Sequence, residues 1–126
     1  IDKYEVEPYV FAEYVTSPEH ETENQASHSW LTGSAVWMYR IGLDYILGFQ
    51  TSLNGITIAP NIPSAWNKFT AIRKFRGKTI NLTVENPENK NNTIKEILIN
   101  DKKSDSNFIK VSDFVENEIN VKIILG

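Results

Sequence analysis

The residues best suited to chemistry lie in the stretch Ser27-His28-Ser29-Trp30-Leu31-Thr32-Gly33-Ser34. Polar, loop-type residues end at Thr32-Gly33, and a dense apolar pattern follows through Val36, Trp37, Ile41, Leu43, Tyr45, Ile46 and Leu47. A hydroxyl residue and a glycine at a helix start suit an anion. The first backbone N–H groups of a helix lack intrahelical partners, and the helix dipole favours negative charge. Thr32 can cap with its hydroxyl, and Gly33 lets a ligand approach the backbone closely. Plain N-capping of a buried helix uses the same residues, and on these residues alone it is the more ordinary reading. His28, just ahead, suits either a donor to an anion or a surface histidine. Glu13 is the carboxylate inside the apolar run 9–15. It belongs at a rim or in a polar cavity, because glutamate is rarely buried unpaired. Glu19, His20, Glu21 and Glu23 match no metal-ligand spacing and read as a solvated loop, so no metal is expected.

The chain that must hold these residues has 126 residues, 40% of them hydrophobic, and a net charge of −3. That suits one domain, or one and a fraction, of a water-soluble globular protein and argues against nucleic acid as a partner. Cysteine is absent, which excludes a disulfide framework and a thiolate metal site. Such a chain is compatible with a reducing cytoplasm, its expected location. No apolar run reaches the roughly 18–20 residues of a membrane span, so no membrane partner is expected. The opening IDKYEVEPYV has neither the basic and apolar regions of a signal peptide nor an initiating Met. It reads as a cut from a longer protein.

Two helices are expected first. Residues 7–15 read as a short helix with Pro8 at its first position, apolar nearly all round. Residues 16–29 form a polar loop. Residues 33–47 give the strongest helix, with Arg40 and Asp44 as its only charges, one turn apart, and Gly48 as its stop. Helices so apolar sit inside an α-helical assembly, and two cannot build one without partner helices. After Gln50 the apolar period changes to two. Strands are expected at Ile56-Thr57-Ile58, from Phe69 to Phe75, at Ile80, Leu82 and Val84, at Ile94 to Ile99, around Phe108-Ile109 and over Ile119 to Leu125. Turns fall at Asn54-Gly55, Arg76-Gly77 and Asn100-Asp101, with a polar loop from Asn86 to Asn92. Short alternating strands with polar turns indicate an antiparallel sandwich or jelly roll. The expected fold class is α+β, divided into residues 1–50 and 51–126.

Several stretches, in order, resemble one known family. They are Glu7-Pro8-Tyr9-Val10-Phe11-Ala12, Trp30-Leu31-Thr32-Gly33-Ser34-Ala35 and Tyr45-Ile46-Leu47-Gly48. Ile56-x-Ile58-x-Pro60-x-Ile62-Pro63-x-x-Trp66, Phe75-Arg76-Gly77 and Val84-x-Asn86-Pro87 follow. The chain is similar to the C-terminal part of the glycoside hydrolase family 94 phosphorylases, which include cellobiose, cellodextrin and chitobiose phosphorylases. The resemblance implies the last helices of an (α/α)6 barrel over residues 1–50 and a jelly-roll β-sandwich over 51–126. It implies a reaction in which inorganic phosphate attacks the anomeric carbon of a β-linked gluco- or N-acetylgluco-saccharide with inversion. An aspartic acid protonates the leaving oxygen, and an α-sugar 1-phosphate results. Phosphate is then a co-substrate and no cofactor is expected.

Thr32 and Gly33 match the family's phosphate-binding pair. Glu13 stands where the family usually has a glutamine that helps hold sugar and phosphate. Ser27 and His28 replace a basic residue and an asparagine, so both Glu13 and His28 are expected in substrate binding. No catalytic residue matches within this chain, which alone is expected to be inactive. Its expected partners are the upstream barrel of the same enzyme, the saccharide and phosphate, with room for a homodimer. Ser34-Ala35-x-Trp37-Met38-Tyr39-Arg40 is similar to the phosphorylase-like domain of cyclic β-1,2-glucan synthases, which makes a β-1,2-glucan an alternative substrate. A carbohydrate-binding β-domain using Trp66, Phe69 and Phe75, or a purely structural one, are the competing readings.

Overall fold

A computed structural model describes residues 6–7, 10–30 and 32–126, apart from the Thr32 side chain. The chain divides between Ile41 and Gly42 into two compact units. In the first, strands β1 (Tyr14–Val15) and β2 (Ala26–Ser27) pair antiparallel, Tyr14 opposite Ser27 and Val15 opposite Ala26. Backbone bonds extend this ribbon. Glu13 N–H donates to the carbonyls of Ser27 and His28 at 3.1 and 3.2 Å, and Thr16 N–H to that of Gln25 at 3.0 Å. The helix expected over 7–15 is thus not found. Residues 10–13 are non-helical and Tyr14–Val15 is strand, while Pro8 and Tyr9 lie outside the described residues. Val10, Phe11, Tyr14 and Val15 suit a strand as well as a helix. What decides is the ribbon's bonding to residues 25–28, which a local pattern does not contain.

Helix α1 (Thr32–Arg40) follows and is succeeded in the chain by a π-helical segment, Ile41–Ile46. Leu47 N–H donates to the Gly42 carbonyl at 2.9 Å, the five-residue spacing of a π turn. Val36, Trp37, Tyr39 and Tyr45 are all exposed. The burial expected of this helix is therefore not supplied by the described residues. Gly48 ends it in the left-handed region, φ 85°. A β-carbon there would lie 2.3 Å from the Ala59 carbonyl carbon, so only glycine fits.

The second unit is a two-layer β structure. Strands β3 (Phe49–Thr51), β4 (Gly55–Ile58) and β9 (Phe108–Lys110) form one sheet in the order β3-β4-β9. Strands β5 (Lys68–Phe75), β6 (Lys78–Glu85), β7 (Ile94–Ile99), β8 (Lys102–Lys103) and β10 (Glu118–Leu125) form the other, ordered β5-β6-β10-β7-β8. One core joins the layers: Phe49, Ile56, Ile58 and Ile109 from the first sheet, Ile80, Leu82, Val84, Ile97, Ile119, Val121, Ile123 and Leu125 from the second. Each fully buried aliphatic side chain contributes about 1.5–3 kcal/mol. The alternation read in residues 79–85 holds, with Ile80, Leu82 and Val84 almost fully buried.

The expectation of an all-antiparallel sandwich needs correction. β10 runs parallel to β6, with Ile80 opposite Ile119, Leu82 opposite Val121 and Val84 opposite Ile123. A period of two fixes which face is buried but not which way the strand runs. Both directions put the same residues inward, and the long return through β7, β8 and β9 delivers β10 in the parallel sense. The whole is mostly β with one α-helix among the described residues.

Candidate functional site

Thr32 and Gly33 open α1, as the anion-site reading requires. Gly33 has no left-handed backbone, and a β-carbon built on it meets none of the described residues within 4 Å. Neither turn geometry nor packing among the described residues therefore demands glycine. Helix propensity disfavours it by about 1 kcal/mol relative to alanine. Open space before free peptide N–H groups is what a tetrahedral anion needs. The Thr32 hydroxyl, the expected cap, belongs to the side chain outside the described residues.

The lead-in to this turn is tightly held. His28 and Trp30 both adopt left-handed backbone, φ 52° and 67°, uncommon for large side chains and maintained only where neighbours enforce it. The β1–β2 ribbon is one such neighbour, since the His28 carbonyl accepts from Glu13 N–H. Glu7 is another. Its carboxylate is held below the usual range chiefly by the Ser29 side chain, then by its own backbone N–H and by the Trp30 side chain. Sequence reading placed Glu7 only in a helix start and missed this tether; the spacing from Glu7 to Ser29 carries no local signal. Glu13 and His28, fifteen positions apart, meet: His28 Nδ1 lies 3.1 Å from Glu13 Oε2. The Tyr14 ring packs edge-on against the imidazole, centroids 5.3 Å apart. Both partners are more than half exposed, so this is a surface pair and not a buried one.

Elsewhere the residues of the loop 16–25 satisfy one another. His20 Nδ1 lies 3.0 Å from Thr22 Oγ1 and accepts from Thr22 N–H at 3.2 Å. Among the described residues no three His, Asp or Glu side chains gather to hold a metal, and no helix is long and apolar enough to cross a membrane.

In the second unit the distinctive motifs serve the fold. Ile56, Ile58, Pro60 and Ile62 are fully buried. Arg76 and Gly77 form the tight turn between β5 and β6, with φ 50° and 76°. Asn86, expected in a polar loop, is buried and knits that loop together. Its side-chain amide donates to the carbonyls of Trp66 at 3.0 Å and Lys90 at 2.8 Å, and its Oδ1 accepts from Lys90 N–H at 2.7 Å. The three rings considered for sugar stacking do not form one platform. Phe69 and Phe75 pack on the core, Phe75 edge-on to Phe114 at 5.8 Å, and only Trp66 is substantially exposed. The outer face of the larger sheet is polar: Glu85 bonds Lys122 at 3.0 Å and Lys68 at 3.4 Å, and Asn81 Nδ2 donates to Asn120 Oδ1 at 3.1 Å.

Residues 1–48 match the glycosyl hydrolase 94 superfamily, catalytic domain. The chain is 37% identical over 100 residues to N,N′-diacetylchitobiose phosphorylase of Vibrio proteolyticus, a match covering 79% of this chain and 12% of that protein. It is 33% identical over 96 residues to solabiose phosphorylase of Paenibacillus borealis, covering 76% and 12%. The chain thus spans about one eighth of the length of these relatives. In three dimensions it shares its fold with part of a family GH92 α-mannosidase from Bacteroides thetaiotaomicron. The TM-score is 0.53 and the identity 21%, over 83% of this chain and 13% of that one.

Proposed function

This chain belongs to glycoside hydrolase family 94, and on that premise we propose that its parent protein is an inverting β-glycoside phosphorylase. The substrate is a β-linked gluco- or N-acetylgluco-disaccharide or oligosaccharide. Phosphate attacks the anomeric carbon from the face opposite the leaving sugar. A carboxylic acid gives its proton to the departing oxygen, and an α-sugar 1-phosphate forms. One acid is enough, because phosphate needs no general base to become a nucleophile.

In this reading the Thr32 hydroxyl and the Gly33 N–H hold phosphate at the start of α1. Glu13 and His28 stand beside it on the substrate side. The acid and the cationic clamp come from outside these 126 residues, so the chain alone is inactive. Within residues 1–50, α1 and the π-helical segment after it are the last helical part of an (α/α)6 barrel, whose remaining helices cover Trp37 and Tyr45, and 51–126 are its C-terminal β-sandwich domain. The enzyme works in the cytoplasm without a cofactor.

The observation that carries this reading is Gly33: a helix-disfavouring glycine at a helix start, with none of the described residues occupying the place of a side chain. The test is phosphate consumption by the full-length protein on cellobiose, N,N′-diacetylchitobiose and sophorose. At least one is expected to give its sugar 1-phosphate, and sophorose as the preferred substrate identifies a β-1,2-glucan enzyme. Cleavage by water with no dependence on phosphate would reject the proposal.

A further inference from the structure

We infer that His28 is the charge-compensating partner that lets a carboxylate at position 13 stand beside a bound phosphate. This rests on the reading of Thr32-Gly33 as a phosphate site. The fold brings Glu13 and His28, fifteen positions apart, into contact, with Nδ1 of His28 3.1 Å from Oε2 of Glu13.

The contact is organised rather than incidental. Glu13 N–H bonds the His28 carbonyl at 3.2 Å, so the backbones are locked as well as the side chains. The Tyr14 ring stands edge-on to the imidazole. His28 also carries a left-handed backbone, φ 52°, and bends the chain at the point where its ring reaches Glu13.

Charge explains why the pairing matters. His28 is four residues from Thr32, a distance that extended chain spans in at most about 14 Å. An uncompensated carboxylate in that range repels phosphate, weakened but not abolished by salt. A histidine hydrogen-bonded to the carboxylate offsets that field. The other carboxylate near this turn, Glu7, is already tied to the side chains of Ser29 and Trp30. His20 and Glu19 are engaged within the 17–22 turn, with Thr22 and Ser17. Glu13 is the carboxylate in contact with His28.

The test is calorimetric titration of inorganic phosphate into the full-length protein and four variants: His28→Asn, Glu13→Gln, the double variant and Thr32→Val. His28→Asn is expected to weaken phosphate binding about fivefold, by exposing the Glu13 charge. Glu13→Gln is expected to tighten it about twofold. The double variant should bind as well as Glu13→Gln, whereas independent effects would leave it about 2.5-fold weaker than the parent. Both side chains are more than half exposed, and circular dichroism checks that the variants fold. If the double variant binds as weakly as His28→Asn, or if His28→Asn binds as the parent does, the inference is wrong. Thr32→Val separates the two levels. If it weakens binding while the pair variants behave additively, only the pairing is refuted. Unchanged binding by Thr32→Val, or no phosphate binding by the parent, removes the phosphate site and the inference with it.

Discussion

Replacing Asn86 with aspartate is expected to destabilise the β unit by about 4 kcal/mol, a large share of the roughly 5–15 kcal/mol that holds a typical domain together. The side chain is 1% exposed. Its Nδ2 faces the carbonyls of Trp66 and Lys90, with that of Ser64 slightly further at 3.4 Å. Aspartate would set a carboxylate oxygen against those carbonyls, burying a charge with no positive partner among the groups that bond this side chain. Asn86→Ala removes the donors instead and leaves the Lys90 N–H without its 2.7 Å acceptor. About 2–3 kcal/mol is expected there, the cost of buried groups left unpaired. Asn92→Ala, at an exposed position of the same loop, should fall within about 0.5 kcal/mol of the parent. Urea midpoints of the three variants check the order. Equal midpoints for Asn86→Asp and Asn92→Ala would show that the loop does not hang on Asn86.

The second large effect concerns ligand and not fold. Thr32→Val and Gly33→Ala in the full-length protein are each expected to weaken phosphate use about 10- to 100-fold. That range corresponds to roughly 1.4–2.8 kcal/mol: Thr32→Val removes a hydrogen bond to a charged group, while Gly33→Ala keeps its N–H and sets a methyl in the anion's path. Gly33→Ala is the sharper variant, because its effects on binding and stability should part company. Among the described residues nothing lies within 4 Å of the added methyl, and alanine favours the helix by up to about 1 kcal/mol. The variant should melt no lower than the parent while its phosphate KM rises. A melting temperature that falls with binding unchanged would mean that Gly33 serves packing, against the open space found around it.

What the sequence revealed followed the physics of each element. Alternation in 80–84 and 119–125 gave the core face of β6 and β10 correctly, because burial imposes that period on any strand. It could not give the parallel pairing of β6 with β10, since direction leaves no trace in a period of two. The turns at Arg76-Gly77 and Asn100-Asp101 were legible, and all four residues have the positive φ that such hairpin turns need. Residues 10–15 were misread as helix because the partner strand lies beyond a loop of polar residues. Asn86 was read as a loop residue, since a composition rule assigns asparagine to the surface and contains nothing about carbonyls twenty positions upstream. In the candidate site, Thr32-Gly33 was visible as a helix start. The meeting of Glu13 with His28 was not, because it depends on the register of a ribbon only two residue pairs long.

If the parent protein is the proposed phosphorylase, phosphate and not water is its nucleophile. The most direct measurement is turnover of the best disaccharide by the full-length protein in 18O-labelled water with unlabelled phosphate, followed by NMR and mass spectrometry of the products. The expected product is an α-sugar 1-phosphate carrying no label at its anomeric oxygen, formed only when phosphate is present. A labelled free sugar, released at the same rate with and without phosphate, would contradict it.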